Sequence, residues 1–550
     1  MRIIVIGAVA AGTSAAAKAR RNDDGVEIVI YEKDKDISYS GCGLPYYIGG
    51  EIEDIGELTP RDSNFFKKKY NIDIFTGHEV LNINSKTKEI TIKNLYSQEV
   101  FSDKYDKLII ATGATSFVPN IKGVDRDNVF FLRNVQSARN IRNFIEMKKP
   151  KYAVIVGTGF IGFEMLENLM NDGVKVTIVE KQGKITPNLD EDMAEFLENA
   201  LIKKNISVLK NTSITKISEE CVIFEDGQEV KSDMVIMATG VKPNTSLAKK
   251  AGVKCGITRA IKVDNSMKTN VEDIYACGDC IETFSTITGK PVYRPLGSTA
   301  NKTGRIAGDV VTGGSVCYRG NLSTGIFKLF DMTIASTGLS EREAREEGYD
   351  IIISHNIKPD KPAYFNGREM IIKAIADKKT ERILGVQIVG YEGVDKRIDI
   401  FATLITYGAK VYELFHLDLA YAPPFSTTKD PVHYTGMILD NAINKHRPLI
   451  TSNEMLNLVN KGEDIKIIDA RITKQYDESH VDLAINMPHA ELRDKLKTLD
   501  KEMVIVTYCN KGVTGNAAQN ILINRGFKKV YNLSGGHKFY IATKGNLNRK

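Results

Sequence analysis

Apolar residues come in short unbroken runs in the first half of the chain and in alternation farther along, which predicts two kinds of sheet. RIIVI at 2–6 is a continuous apolar run, as a strand buried on both faces requires. The chain then turns at Gly7, continues as an Ala-rich helical segment to about Arg21, and enters a second apolar run, VEIVIYE. The same order of strand, turn, helix and strand returns over 152–182, where YAVIVGTGFIGFEMLENLMNDG leads into VKVTIVEKQ. This duplication predicts two βαβ units of a doubly wound fold. Each unit is closed by a later strand ending in Ala-Thr-Gly: KLIIATG at 107–113 and MVIMATG at 234–240. A further short strand is expected before Gly278 and Asp279, in NVEDIYACGDC. From about residue 325, segments such as GIFKLFDMTIASTG and ILGVQIVG alternate and predict an antiparallel sheet, followed by a helical stretch around 394–415. NAINKHRPLITSNE at 441–454 reads as a linker. Beyond it, IKIIDA, MVIVTYC, the helical NAAQNILINRG and KVYNLSGG predict a compact α/β unit of about 100 residues.

Composition narrows the class. A chain of 550 residues exceeds what one core organises, and 42% apolar with 26% charged residues excludes a largely disordered protein. With 75 basic and 69 acidic residues the formal charge is only +6, which does not argue for nucleic acid, although a local basic patch can hold a phosphorylated ligand. Seven cysteines are too few and too odd for a disulfide framework, so a reducing cytoplasm is expected. No apolar run reaches the roughly 20 residues of a membrane span. The run from Ile3 to Ala17 mimics a signal peptide, but Gly7 and Gly12 interrupt it and its basic cluster, Lys18, Arg20 and Arg21, follows the apolar part. These features predict a cytoplasmic enzyme.

A phosphate-binding turn between strand and helix needs glycine where backbone N–H groups approach a pyrophosphate. Gly157, Gly159 and Gly162 form the full set, and Glu180 ends the next strand 18 residues after Gly162. An acid there accepts from a ribose 2′-hydroxyl and repels a 2′-phosphate, which predicts NADH over NADPH; the adjacent Lys181 counters that preference. The first turn keeps Gly7 and Gly12 but has Val9 in the middle position, and Glu32 follows Gly12 by 20 residues. Together with Gly278 and Asp279, the two units predict FAD on the first turn, its ribityl hydroxyls on Asp279, and NADH on the second. Two dinucleotides imply electron flow from nicotinamide to flavin. Cys277 and Cys280 bracket that flavin turn, and no second C-x-x-C completes a metal site, so no metal is expected.

GAVAAG, Glu32, GTGFIG, the two Ala-Thr-Gly strands and IYACGDC resemble the pyridine nucleotide–disulfide oxidoreductase family over about residues 1–440. The resemblance implies an FAD-binding domain over 1–115 and 241–322, an NADH-binding domain over 116–240, and an α+β dimerisation domain over 323–443. It implies FAD contacts from Gly7, Gly12, Glu32, Lys33, Ala111, Thr112, Gly113, Gly278 and Asp279, and NADH contacts from Gly157, Gly159, Gly162, Glu180 and Gly240. It also implies a homodimer whose partner subunit completes the active site. Glutathione-reductase-like members carry a C-x-x-x-x-C pair after the second strand. Here SYSGCGLPYYIGG has Cys42 alone, with Ile37 and Tyr47 at the positions a partner would take. Cys42 therefore reacts through a one-sulfur state: thiolate, mixed disulfide, persulfide or sulfenate. Its pKa is expected to be lowered by a helix N-terminus and by the flavin.

The segment is most similar to coenzyme A–disulfide and coenzyme A persulfide reductases. Single-cysteine NADH oxidases and peroxidases carry a His in the first turn, where this chain has Ala10-Ala11. Lys18 and Arg21, on one face of the first helix, suit either a solvated helix end or coenzyme A phosphates, and the resemblance adds Ser38 and Asn301 as coenzyme A contacts. Tyr421 in AYAPPFS and Tyr364 in PAYFNG match tyrosines that protonate the leaving thiolate across the dimer; Tyr364 equally suits a packed strand aromatic.

IIDARITKQYDESHVDLAINMPHA, VIVTYCNKGVTG and FKKVYNLSGG resemble a rhodanese domain over 452–550. Cys509 heads a loop whose inward N–H groups and following helix stabilise a thiolate or persulfide. The loop departs from C-x-x-G-x-R-S, with Thr514 for Arg and Gly515 for Ser, and Lys511 offers a compensating cation. Asp469 is expected to brace the fold from a strand end. The overall expectation is an α/β chain with two Rossmann-like domains, a dimerisation domain and a rhodanese domain. It would reduce coenzyme A persulfide, polysulfide and coenzyme A disulfide at Cys42, while Cys509 handles sulfane sulfur. An NADH oxidase and a redox-sensing flavin-binding docking protein are the alternatives.

Overall fold

The computed structural model describes residues 1–544, so the last six residues of the expected 452–550 domain lie outside the described residues. The chain folds as two compact units, Met1–Gly183 with Ser207–Asn321, and Lys184–Ile206 with Leu322–Lys550. The segment 184–206, inside the span expected for the NADH-binding domain, therefore packs with the second unit.

The first unit is built on two parallel five-stranded sheets of matching order. One runs Ile274–Ala276, Lys107–Ile110, Arg2–Ile6, Glu27–Glu32, Asp73–Thr76. The other runs Val129–Phe130, Met234–Met237, Tyr152–Val156, Lys175–Val179, Ser207–Leu209. In each, the glycine-turn strand sits between its βαβ partner and the Ala-Thr-Gly strand, so the duplication seen in the sequence is a duplication of topology. Ile3, Ile4, Val5, Val154 and Ile155 are fully buried, which is why these strands are continuous apolar runs without alternation.

Helix α1 (Ala10–Asn22) follows the first turn and α2 (Phe160–Asn171) the second. The Ala content of α1 has a packing cause in α3 (Gly297–Val311), which lies against it. A Cβ at Gly304 would stand 2.3 Å from the Ala11 carbonyl oxygen, and one at Gly308 would stand 2.1 Å from that of Ala15. The two backbones touch, and only small residues permit that.

In the second unit the alternating segments form an antiparallel sheet, Gly325–Leu329, Met332–Gly338, Ile383–Gly390, Glu369–Asp377, Ile351–Pro359. The helix expected around 394–415 ends earlier, at Thr406: Gly408 takes φ +69° and the chain resumes as a 3₁₀ turn over Val411–His416. The linker is also shorter than 441–454. Helix Pro431–Ile443 fills its start, and a new helix, Ser452–Asn460, begins inside its end, where Thr451 and Glu454 form a capping box. The C-terminal sheet is parallel, in the order Leu449–Ile450, Lys529–Leu533, Val504–Tyr508, Ile465–Asp469, Ala484–Asn486, with α4 (Val513–Asn524) after its central strand.

Buried polar contacts join this domain to the antiparallel sheet. The His355 amide donates to Ser534 Oγ at 2.7 Å, its ring stacks on Phe539 at 4.2 Å, and its Nε2 lies 2.7 Å from Asp192. Lys373, wholly buried, pairs with Asp192 and Glu341 at 2.8 Å and with Asp190 at 3.2 Å. Lys373 and His355 hold the Asp192 carboxyl well below the usual range despite its burial. Among the described residues, no helix is long and apolar enough to cross a membrane.

Candidate functional site

The two glycine turns share a geometry that explains their glycine spacing. Gly7 (φ +108°) and Gly157 (φ +105°) have no room for a side chain. A Cβ would meet the Ala111 oxygen at 2.3 Å in the first turn and the Ala238 oxygen at 2.4 Å in the second. Gly12 and Gly162 press likewise on the oxygens of Gly7 and Gly157, at 1.8 and 2.2 Å. Gly159 differs: it is the N-cap of α2, and no atom outside its immediate chain neighbours lies within 4 Å of where its Cβ would be. It leaves space for a ligand rather than for packing, as a pyrophosphate at a helix N-terminus requires. Val9 is the corresponding N-cap of α1.

The strand-end acids also correspond. Glu32 accepts from the Ala8 amide at 2.7 Å and from the Asp34 amide at 2.9 Å; burial pushes its carboxyl up. Glu180 accepts from Thr158 Oγ1 at 2.6 Å, the Thr158 amide at 3.2 Å and the Gln182 amide at 2.9 Å. Each carboxylate is thus fixed at the mouth of its own glycine turn. These residues fit two dinucleotides: FAD on Gly7, Gly12, Glu32, Gly278 and Asp279, and a nicotinamide dinucleotide on Gly157, Gly159, Gly162 and Glu180. Lys33 is exposed, Ala111, Thr112 and Gly113 follow the strand beside Gly7, and Gly240 (φ +91°) follows the corresponding strand of the second sheet.

Gly278 (φ +79°) comes against α1, where a Cβ would lie 2.7 Å from that of Ala11. Asp279 accepts from Arg133 at 3.0 Å, and Tyr293 donates to the Asp279 carbonyl at 2.9 Å. Neither Arg133 nor Tyr293 was expected here, since both are distant in sequence and lie outside any motif. Cys277 and Cys280 are free and fully buried; burial raises both thiols, Cys280 to about 11. They are packing residues of this turn.

Cys42 sits in a 3₁₀ turn, Gly41–Gly43, that leads into the short helix Leu44–Ile48. The thiol is accessible. Its pKa is raised, against the expectation of a lowered one, because partial burial and the carboxylates of Glu164 and Asp279 all disfavour the thiolate. Glu164, on α2 two residues after Gly162, is itself pushed up to about 7 by burial and by Glu167. Its place in the GTGFIGFE run was the signal that could have revealed it.

The four residues expected to hold coenzyme A are spread around this region. Lys18 is engaged by Asp309 at 3.1 Å and donates to Asn22 at 2.7 Å, whereas Arg21 is exposed. Ser38 takes a left-handed conformation (φ +49°) and its amide donates to the Ala8 carbonyl at 2.9 Å. Asn301 accepts from Ser14 at 2.7 Å. In the second unit, Tyr364 lies in a 3₁₀ turn over Ala363–Phe365 and is 73% exposed, which removes it from the core; Tyr421 is 46% exposed.

Cys509 is buried at the end of strand Val504–Tyr508. The Gly512 amide donates to its Sγ at 3.2 Å, and Gly512 (φ +98°) is the N-cap of α4, so the thiol faces a loop amide and a helix N-terminus together. Asp469 holds Arg471 through both carboxylate oxygens, and Arg471 reaches Asn510 at 3.2 Å, so the pair links the strand end to the Cys509 loop. Gly515 cannot be Ser without rearrangement, because its Cβ would lie 2.4 Å from Asn532 Oδ1 and 3.0 Å from the Tyr508 Cα. Lys511 is not a free compensating cation: its ammonium pairs with Glu369.

Comparison with known proteins agrees with this geometry. The family model described as pyridine nucleotide-disulphide oxidoreductase matches residues 1–297, that of its dimerisation domain residues 325–431, and that of a rhodanese-like domain residues 451–542. An NADH oxidase of Methanocaldococcus jannaschii is 37% identical over 437 residues, 78% of this chain and 97% of the relative. An NAD(P)H sulfur oxidoreductase (CoA-dependent) of Pyrococcus furiosus is 36% identical over 448 residues, 80% of this chain and 99% of the relative. The solved structure of an NAD-dependent persulfide reductase from A. fulgidus superposes with a TM-score of 0.91 at 37% identity, covering 98% of this chain and all of that one.

Proposed function

This chain belongs to the pyridine nucleotide-disulphide oxidoreductase family, and on that premise we propose that it reduces sulfur–sulfur bonds of coenzyme A persulfide, polysulfide and coenzyme A disulfide with NADH. The single observation that carries this reading is Cys42: an accessible thiol with no second cysteine in its helix, on a chain that also carries a rhodanese-like Cys509 loop. Bound on the glycine turns, FAD and NADH would supply a two-electron path from nicotinamide to the sulfur site.

The protein groups divide the remaining work. Cys42 holds the acceptor sulfur covalently, and Glu164 stands beside it with a carboxyl titrating near neutrality, able to hold or release a proton there. Arg21, Lys18, Ser38 and Asn301 orient the coenzyme A portion, with Arg21 the most available cation. Tyr364 and Tyr421, both exposed, reach the Cys42 site of a second copy and protonate the departing thiolate. The active form is accordingly a homodimer, and its setting is the cytoplasm. Cys509 accepts sulfane sulfur on its loop and passes it to coenzyme A or toward Cys42.

Steady NADH consumption under anaerobic conditions with a sulfur acceptor, at a rate about tenfold or more above that with air alone, is the expected outcome. Equal or faster turnover with air would assign the chain to NADH oxidation. Flavin reduction without steady turnover on any acceptor would assign it to sensing.

A further inference from the structure

The antiparallel sheet of the second unit floors a cavity of about 470 Å³, within the roughly 300–1,000 Å³ of small-molecule sites. Ile357, Ile371 and Val389 make that floor: they are in register across three adjacent strands and so share one apolar face. One wall is the helix Glu191–Lys203, through Phe196 and Ile202. The other is the helix Gly536–Lys544 of the rhodanese-like domain, through Ile541. The walls are tied to each other, since Asn199 donates to the Ala542 carbonyl at 2.7 Å and Lys544 pairs with Glu195 at 2.8 Å. The space is therefore framed by braced helices over a sheet. Its charged lining is two cations against one anion: Lys203 and Lys538 against Glu369. Lys203 is exposed, and among the described residues no carboxylate pairs with it. Lys538 shares Glu369 with Lys511, so that carboxylate is divided between two ammonium groups. Glu369 is two residues from Ile371 on one strand and so lies on the floor's face, which puts the missing negative charge at the edge of an apolar surface.

We propose that this cavity binds an apolar carboxylate of the fatty-acid class, its acid group on Lys203 and Lys538 and its hydrocarbon along Ile357, Ile371 and Val389. A single negative charge balances the lining, and the hydrocarbon covers the floor that water would otherwise wet. The site also reaches the sulfur-carrying loop. The Lys538 amide donates to the Asn510 carbonyl at 3.0 Å, and Glu369 holds both Lys538 and Lys511, so one carboxylate clamps the Cys509 loop from two sides. A ligand acid that takes up Lys538 leaves Glu369 to Lys511 alone. Occupancy of the cavity thereby changes the hold on the loop and the reactivity of Cys509.

The test uses the full, FAD-loaded chain and probes of one tail length: decanoate, uncharged 1-decanol and cationic decyltrimethylammonium, each below its micelle-forming concentration. Calorimetry should show decanoate bound at one site per chain and the cationic probe bound far more weakly. Lys203→Met, at an exposed position, should weaken decanoate about threefold and leave 1-decanol unchanged. Ile541 is 40% exposed, so Ile541→Glu is tolerated by the fold, and the acid it sets at the cavity wall should weaken decanoate about tenfold or more. Alkylation of Cys509 by iodoacetamide, followed by mass spectrometry, should change in rate about twofold or more at saturating decanoate, and Lys538→Met should remove that response. Absence of saturable decanoate binding, equal binding of the cationic probe, or undiminished binding in both Lys203→Met and Ile541→Glu would overturn the proposal. An unaltered Cys509 rate with decanoate bound would overturn the link to the loop.

Discussion

Glu180 ties nucleotide choice to one carboxylate. Its oxygens are held by Thr158 and by the Gln182 amide, so the carboxylate is fixed at the strand end, where the proposed nucleotide would bring its ribose. Lys181 is exposed and follows it in sequence, but the held charge is the acid's. The kcat/KM for NADH should exceed that for NADPH by about tenfold or more, about 1.4 kcal/mol, and Glu180→Ala should erase most of that margin. Equal use of the two nucleotides by the unaltered enzyme would show that Lys181 governs the pocket. At this scale the sequence was legible wherever a backbone constraint fixed a residue type, as at Gly7, Gly157 and Gly162. It was not legible where function depends on a neighbour far along the chain. Arg133 meets Asp279 across 146 positions, Lys511 is captured by Glu369, and Cys42 is raised by partial burial with Glu164 and Asp279 adding to it. No local motif encodes those encounters.

The contact between α1 and α3 shows an element whose composition is dictated by its partner. Gly308 lies mid-helix, where intrinsic propensity alone predicts that Gly308→Ala stabilises by up to about 1 kcal/mol. The geometry predicts the opposite sign, since the new Cβ would stand 2.1 Å from the Ala15 carbonyl oxygen and must separate the helices. Destabilisation of about 1–3 kcal/mol is expected, seen as a lower Tm and earlier release of FAD, because α1 begins at the flavin turn. A raised Tm would show that the helices can part at no cost. Helices and strands with strong periodicity were readable in advance for the same physical reason that they form: each buries one face or two. The helix expected to run to residue 415 was over-read because Gly408, in a left-handed conformation, stops it inside an apolar stretch. The linker was over-read because its polar residues are capping residues of the next helix.

The whole molecule joins a dinucleotide-binding unit to a second unit in which the rhodanese-like domain is fastened to the antiparallel sheet through His355, Ser534 and the buried Lys373 cluster. The run of motifs made that domain order readable, whereas the fastening was not, because His355 and Lys373 lie in strands with no motif of their own. The fastening ties the Cys509-bearing domain to the antiparallel sheet of its own unit rather than leaving it a tethered appendage. On the proposed function, electrons reach sulfur only through Cys42. The measurement is anaerobic NADH consumption with coenzyme A persulfide by the unaltered chain and by Cys42→Ser, each with its FAD content determined. Full FAD is expected in both, with at least about a hundredfold loss of persulfide reduction in the variant and surviving slow oxidation of the reduced flavin by air. Persulfide reduction by Cys42→Ser at near the unaltered rate would contradict it.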